Sequence, residues 1–343
     1  MRLKGLAAIA LAAACAGCSD SVLGPGPATD RASLFDEVWR EFDLHYSFFQ
    51  LKDIDWNAIG AQYRPQALAA TSDIDFAVVM SHMLAELHDP HVSLTPFGTG
   101  STMRYVSPYD TASMFYTRAA TVSNYVTASA TTKGGHIQYG RIAPDVGYAV
   151  IASFMGDGWD GEMDEVLSQL AGVRAMIIDV RNNNGGNRNL AIDVAGRFTD
   201  RTQTFGYIRL RNGPGHGDFT DYIPANVSPR GSRKFSGPVF VLSNRHDFSS
   251  AEDFILAMRG TGLATIVGDT TAGVTGGPLA RELPNGWTYE LSQWIEYTKD
   301  KKAFEGIGLA PDVVVTSNAT FAGAGADPAL ERAKSLALSA PGR

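Results

Sequence analysis

Two adjacent serines, Ser249 and Ser250, stand where an apolar segment gives way to a helical pattern. Residues 249–252 (Ser-Ser-Ala-Glu) fit a capping box, in which an N-cap serine and a glutamate three residues later satisfy the first N–H groups of a helix. The same position suits a nucleophile, because the N–H groups and the dipole of a helix N-terminus can stabilise an oxyanion. The tetrapeptide alone does not separate these two interpretations.

Four further segments combine polar residues with turns. They are ELHDPHVSL (86–94), IIDVRNNNGGN (177–187), IVGDTTAG (266–273) and FEGIGLAPDVVV (304–315). The first contains two histidines, His88 and His91, and the last places Glu305 in a glycine-rich turn. The second runs from an apolar strand into Gly185 and Gly186, a backbone that can present free N–H groups.

The order and rough spacing of these segments resemble the S41 serine peptidases, the family of the C-terminal processing proteases and the tricorn protease core. Five motifs carry the resemblance: Asp-Pro-His-Val (89–92), Asp-x-Arg-x-Asn-x-Gly-Gly (179–186), Ser-x-x-Glu (249–252), Val-Gly-Asp-x-Thr-x-Gly (267–273) and Glu-Gly-x-Gly-x-x-Pro-Asp (305–312). The resemblance implies a ClpP/crotonase-like layered α/β fold and hydrolysis of peptide bonds in a peptide or protein substrate. The family's nucleophile precedes the motif glutamate by three residues, which implies Ser249. The N–H groups of Gly185, Gly186 and Ser250 are then implied as the oxyanion hole.

A serine hydroxyl needs a base to accept its proton. One branch of the resembled family uses a lysine about 25 residues after the serine, where this chain has Val274. The tricorn-like branch uses a histidine and a glutamate whose positions match His91 and Glu305. The resemblance therefore implies Ser249 as nucleophile, His91 as base and Glu305 as the acid that orients His91, a set of roles defined by geometry and not by chain order.

The lysines of the C-terminal half offer no replacement for that base. No lysine lies between Lys234 and Lys299. Lys299, Lys301 and Lys302 fall in the segment YTKDKKAF, which we predict to be an exposed hairpin. A serine–lysine dyad of the usual kind is therefore not expected.

Other roles remain open for the same residues. His91 could be a hydrogen-bonded structural histidine, and Glu305 a solvated acid in a turn. His88 and His91 have the spacing of a metal pair, but no third ligand stands at a telling spacing, so we predict no metal and no cofactor. Pro90 and Val92 depart from the residues usual in the family motif, and proline removes a backbone N–H from the turn.

Three other functions are compatible with the sequence. The first is a non-catalytic ligand- or peptide-binding lipoprotein on the same fold. The second is a non-peptidase acyl hydrolase that uses the same serine and histidine, since a fold does not determine its substrate. The third is a purely structural lipoprotein of the cell envelope.

The N-terminus is typical of a secreted lipoprotein. Arg2 and Lys4 precede an apolar run and the sequence CAGC, which resembles a lipoprotein cleavage box with Cys18 as the lipidated residue. Cys15 stands where leucine is usual, and a plain signal peptide is the alternative. We expect a lipid-anchored protein of the bacterial cell envelope, periplasmic or on the outer surface. The mature chain would have no disulfide, because Cys15 would be removed with the signal peptide and Cys18, the only other cysteine, would carry the lipid.

The chain of 343 residues carries a net charge of −7 without a basic run, which argues against nucleic acid as a partner. Alternating apolar strands and helical stripes predict an α/β core. Ser33 is predicted to cap the first helix, and a second helical stretch is expected from about 76 to 87. Asp327 and Pro328 predict the start of a C-terminal helix.

The chain divides into a signal peptide with its lipidation site (1–18), a flexible tether (19–32), a helical region (33–95), a short β region without a PDZ domain (96–145), the peptidase core (146–320) and a C-terminal helix (321–343).

Overall fold

The computed structural model describes residues 28–96, 100–105, 116–315 and 326–341. The predicted signal peptide and the lipidation site at Cys18 lie outside the described residues. Within these ranges, no helix combines the length and the apolar character needed to cross a membrane.

The helices of the described ranges fall into an N-terminal group and a set that flanks the main sheet. They are α1 (Arg31–His45), α2 (Trp56–Ala69), α3 (Asp73–Ala85), α4 (Arg118–Tyr125), α5 (Glu162–Gln169), α6 (Arg188–Ala195), α7 (Ser250–Thr261) and α8 (Pro328–Ser339), with a short 3₁₀ helix at Gly196–Phe198.

The strands form three sheets. They are β1 (Ser93–Thr95), β2 (Met103–Arg104), β3 (Thr127–Thr131), β4 (Ile137–Ala143), β5 (Val146–Ile151), β6 (Ala175–Asp179), β7 (Gln203–Leu210), β8 (Ile223–Val227), β9 (Val239–Ser243), β10 (Ala264–Gly268), β11 (Pro278–Glu282), β12 (Thr288–Ser292), β13 (Trp294–Thr298) and β14 (Val313–Val314). The main sheet has the order β14-β10-β9-β6-β5-β4-β3, and its strands from β14 to β5 are parallel. The two smaller sheets have the orders β11-β12-β1-β2 and β13-β7-β8.

The main sheet is covered on both faces. One face packs against α5, α6 and α7, and the other packs against α4 and α8. The central strands β5, β6 and β9 are buried along their whole length, which is why they read as continuous apolar runs in the sequence. The predicted layered α/β core is therefore confirmed. The described strands β3 and β4 also belong to this sheet, although the sequence placed them in a separate β region.

The N-terminal helices form a second core. Helices α1, α2 and α3 pack with β1 and β12 around Trp56, Phe42 and Tyr289. This core brings residues near the start of the chain next to the segment between β10 and β13.

The first helix begins earlier than predicted. Asp30, and not Ser33, is the N-cap of α1, and its carboxylate accepts hydrogen bonds from the N–H groups of Ala32 and Ser33. An aspartate three residues upstream competes well for the cap position because its charge complements the helix dipole. The prediction for the C-terminal helix is confirmed, since Asp327 accepts a hydrogen bond from Leu330 N–H.

Parallel strands bring the ends of three segments to one edge of the sheet. The chain leaves β6, β9 and β10 at this edge and enters the three loops that carry the sequence motifs. Such carboxyl edges are the usual place of ligand sites in open α/β sheets.

Candidate active site

Ser249 occupies a strained position at the start of α7. It is the N-cap of the helix, with a φ of 59° and a ψ of −128°. A non-glycine residue at positive φ is uncommon, and such strain costs about 1–3 kcal/mol and clusters at functional sites. The turn from β9 into α7 therefore presents the half-buried side chain of Ser249 at the sheet edge, as the sharp strand-to-helix turn of a nucleophilic serine does.

The capping box suggested by the sequence does not form. The side chain of Ser249 makes no capping hydrogen bond to α7. The carboxylate of Glu252 points away from the N-cap and accepts hydrogen bonds from the Thr271 hydroxyl, the Gly273 N–H and the Val274 N–H. Glu252 thus holds the loop after β10 against the first turn of α7. Burial raises the pKa of this carboxyl to about 8.

The same loop joins Ser249 to His91. The N–H of Ser249 donates to the carbonyl oxygen of Val274 at 2.9 Å. The next carbonyl oxygen, that of Thr275, accepts a hydrogen bond from Nδ1 of His91 at 2.7 Å. Because a carbonyl can only accept, Nδ1 carries the proton in the neutral ring and Nε2 is the basic nitrogen. The predicted nucleophile and the predicted base are therefore anchored to adjacent residues.

The backbone of His91 is fixed by a buried carboxylate. Asp89 is fully buried and accepts hydrogen bonds from His91 N–H at 2.9 Å and from the Ser292 hydroxyl at 2.8 Å. His88 precedes it at a φ of 47°, which turns the chain out of α3. The motif aspartate thus sets the position of the histidine through the main chain.

Glu305 lies close to this arrangement but is not bonded to His91. Its Oε2 accepts hydrogen bonds from the N–H of Thr275 at 2.7 Å and from the Thr275 hydroxyl at 2.9 Å. Thr275 therefore stands between the predicted acid and the predicted base. The sequence reasoning missed Thr275, although this residue follows directly on Val274.

Glu305 has a second partner that the sequence did not reveal. Lys52 Nζ lies 2.8 Å from Glu305 Oε1. Burial raises the pKa of the Glu305 carboxyl, the negative charge of Asp89 raises it further, and the ammonium group of Lys52 opposes both effects. No motif points to Lys52, since it follows α1 in an unremarkable turn.

The glycine pair of the loop after β6 lies directly against the nucleophile. A Cβ atom on Gly185 would come within 2.7 Å of Ser249 Cβ. The N–H of Gly185 donates to Asn183 Oδ1, whereas no acceptor within the described residues takes the N–H of Gly186 or of Ser250. The Ser250 hydroxyl donates to the carbonyl oxygen of Gly186 at 2.7 Å and ties the two segments together.

A buried ion-pair network supports the start of that loop. Arg181 bonds with the carboxylates of Asp179 and Asp327, at 2.7 Å for the nearest atoms of each pair. Tyr148 donates to Asp179 as well, at 2.7 Å. The network joins the end of β6 to α8 on the far side of the sheet and touches neither Ser249 nor His91.

The comparisons with known proteins agree with this architecture. Residues 145–315 match the model of peptidase family S41, and residues 27–85 match the tricorn protease C1 domain. A "Probable CtpA-like serine protease" from Staphylococcus haemolyticus (strain JCSC1435) is 29% identical over 175 residues, which cover 50% of this chain and 34% of the relative. This chain thus matches about a third of the length of that curated relative.

Two solved structures extend the likeness over the whole fold. A "putative peptidase" from Parabacteroides merdae ATCC 43184 is 30% identical, covers 91% of this chain and 98% of its own, and superposes with a TM-score of 0.80. Mature CPAF in complex with lactacystin is 14% identical over 90% of this chain and 97% of its own, with a TM-score of 0.67, and shares the fold. The match of residues 145–315 to a peptidase family and the likeness to a peptidase over the whole fold place the protein in the class of the serine-type peptidases. Within that class, the chain belongs to peptidase family S41.

Proposed function

We propose that the protein is a serine endopeptidase in which Ser249 is the nucleophile and His91 the general base. The observation that carries this proposal is the shared anchor of the two residues. Ser249 N–H and His91 Nδ1 donate to the successive carbonyls of Val274 and Thr275. The tautomer that this arrangement selects leaves Nε2 of His91 free to accept the hydroxyl proton of Ser249.

The proposed reaction has two stages. Ser249 Oγ attacks the carbonyl carbon of the scissile peptide bond while its proton passes to His91 Nε2. The N–H groups of Gly186 and Ser250 stabilise the negative oxygen that forms. The N–H of Gly185, which the sequence also suggested, is engaged by Asn183 Oδ1 and is not part of the proposed hole. His91 then returns the proton to the leaving amine as the C–N bond breaks. Water, deprotonated by His91 Nε2, then attacks the acyl carbon, and the bond from that carbon to Ser249 Oγ breaks as His91 returns the proton to Oγ.

Glu305 is proposed to orient the base through Thr275. Its carboxylate accepts hydrogen bonds from the N–H and the hydroxyl of Thr275, and the carbonyl oxygen of Thr275 accepts a hydrogen bond from His91 Nδ1–H. A carbonyl dipole aimed at Nδ1 favours the imidazolium that forms in the reaction, and the nearby negative charge adds to that effect.

The test is covalent labelling of residues 19–343 with a fluorophosphonate, followed by peptide mapping. We expect modification of Ser249 in the wild type and a loss of at least about 100-fold in labelling rate in His91→Ala, since a positioned general base typically contributes about 10²–10⁴-fold. Cleavage of a casein substrate should fall in parallel. Labelling without cleavage of any peptide would favour the acyl hydrolase. A folded protein that is not labelled would favour a binding protein.

The cellular location is a separate proposal. The sequence CAGC and the preceding apolar run support a lipid on Cys18 and anchoring to a membrane of the bacterial cell envelope. Metabolic labelling with a palmitate analogue should mark the full-length protein but not Cys18→Ser. Equal labelling of both would contradict the anchor.

A further inference from the structure

Lys52 joins three segments that surround the base. Its ammonium group pairs with Glu305 Oε1 at 2.8 Å and donates to the carbonyl oxygens of Leu87, at 3.3 Å, and His88, at 3.1 Å. An ammonium group has three N–H donors, so these contacts occupy all of them. The side chain of Lys52 is 16% exposed and that of Glu305 is 1% exposed, so water screens the pair weakly.

The contacts of Lys52 lie at both ends of one chain of hydrogen bonds. The carbonyls of Leu87 and His88 begin the turn that carries His91. At the other end, Glu305 accepts a hydrogen bond from Thr275 N–H, and the carbonyl oxygen of Thr275 accepts a hydrogen bond from the ring of His91. The ammonium group of Lys52 therefore fixes both the turn that carries His91 and, through Glu305, the position of Thr275.

The charge balance around Glu305 depends on the same lysine. Asp89 and Glu252 are the acidic groups that face Glu305, and the negative charge of Asp89 disfavours the ionised form of Glu305. Tyr46 is buried beside them and is neutral, since burial raises the pKa of its hydroxyl. Among the described residues that act on the Glu305 carboxyl, Lys52 is the cation.

A half-open cavity of about 380 Å³ lies beside the ion pair. Its lining includes Ile54, Pro90, Tyr105 and Val274 as well as Lys52 and Glu305. The cavity leaves room for a longer side chain at position 52, so an arginine can reach Glu305 there.

We propose that Lys52 is a positioning residue of the active site, which clamps the His91 turn to the Glu305–Thr275 segment. This inference rests on the proposed function, in which His91 is the base. The polar contacts of Lys52 are with Glu305 and with the backbone of the His91 turn, so Lys52 acts through the base. Without its ammonium group, the His91 ring loses its fixed orientation and Glu305 loses its counter-ion, so His91 is in place for a smaller fraction of the time.

The test compares Lys52→Met with Lys52→Arg and with the matched control Lys302→Met. Lys302 is a surface lysine, 79% exposed, in an ion pair with Asp300. We expect fluorophosphonate labelling of Ser249 to slow about 10- to 100-fold in Lys52→Met, the range that the loss of hydrogen bonds between charged groups gives. Lys52→Arg should stay within about threefold of the wild type, and Lys302→Met should not differ from it.

The pH profile separates positioning from a general loss of stability. Removal of Lys52 takes the counter-ion from Glu305, so the acidic limb of the labelling-rate profile should move to higher pH by at least about one unit in Lys52→Met. The limb should not move in Lys52→Arg. A slower rate with an unchanged limb in a folded protein would overturn the proposal.

A double-variant cycle tests whether Lys52 acts through Glu305, with Lys52→Gln in both backgrounds if Lys52→Met does not fold. In the Glu305→Gln background the carboxylate that pairs with Lys52 is gone. The fold-loss in labelling rate caused by Lys52→Met should therefore be smaller in this background than in the wild type, by a factor of at least about three. Equal losses in both backgrounds would show that Lys52 does not act through Glu305.

Amide hydrogen exchange provides a readout that does not need catalysis. Lys52→Met should exchange faster than the wild type in residues 86–92 and 270–276, and not in β6. Unchanged exchange in both segments would overturn the clamp. If the wild type is not labelled at all but these segments loosen in Lys52→Met, the proposed function fails and the clamp stands.

Discussion

Gly185→Ala offers the sharpest test of the site geometry. Gly185 has a φ of 79°, and a Cβ atom there would lie 2.7 Å from Ser249 Cβ and 2.8 Å from both Phe248 O and Ser250 N. The first distance falls about 0.7 Å short of the 3.4 Å at which ordinary contact begins. All three neighbours are backbone or Cβ atoms, so no flexible side-chain end can move aside.

The substitution has two separable costs. An alanine at this positive φ costs about 1–2 kcal/mol in any surroundings. Relief of the contact moves either Ser249 or the loop that carries Gly186. Because a displacement of about 1 Å can cost 10²-fold in rate, we expect labelling of Ser249 to slow by about one to two orders of magnitude.

Gly172→Ala is the matched control. Gly172 has a φ of 83°, and a Cβ atom there would meet nothing within 4 Å. It lies before β6, at the opposite end of that strand from the Gly185 loop. Both variants should therefore lose stability in urea unfolding through the positive φ, and Gly185→Ala should lose at least as much as Gly172→Ala, but only Gly185→Ala should lose reactivity. If the two variants label at the same rate, the loop after β6 does not position the nucleophile as described.

Two further substitutions test the supports of the site. Glu252→Gln replaces one acceptor oxygen by an NH2 donor that faces other donors, and it should destabilise the fold by about 1–3 kcal/mol at pH 5. The pKa of Glu252 is about 8 in the folded protein, above its ordinary value of 4.5, so the wild type loses stability as the pH rises between these values. The variant lacks this titrating group. The difference in thermal stability between the wild type and the variant should therefore be smaller at pH 9 than at pH 5. A deficit that grows with pH would contradict this assignment. Asp327→Ala leaves the buried Arg181 with Asp179 alone and removes the cap of α8, so urea unfolding should show a loss of about 3 kcal/mol, whereas a loss below about 1 kcal/mol would contradict a structural role.

The central sheet could be predicted because burial on both faces leaves a clear trace in the sequence. Strands β6, β9 and β10 coincide with the apolar runs in 174–180, 237–243 and 264–268. The helix α2 was missed, since it contains Pro65 and has no regular apolar stripe. Its packing against α1 and α3 stabilises it in spite of its sequence.

The residues of the candidate site also fall into those that the sequence reveals and those that it does not. Ser249, His91 and Glu305 lie in short motifs and could be named from the sequence. Lys52 and Thr275 could not, because their roles depend on contacts between distant parts of the chain that only the packing of α1 and α3 against the core creates.

The glutamate of the Ser-x-x-Glu motif shows why spacing alone left the chemistry undecided. The spacing of Ser249 and Glu252 suits a capping box, in which each side chain would satisfy the backbone of the other. In the structure, the three donors from residues 271–274 engage the Glu252 carboxylate instead, and Ser249 is left without a capping bond. A capping serine would have its oxygen engaged with the helix N–H groups. The loop after β10 therefore does two things at once: it draws Glu252 away from the cap, and it offers its next carbonyls to Ser249 and His91.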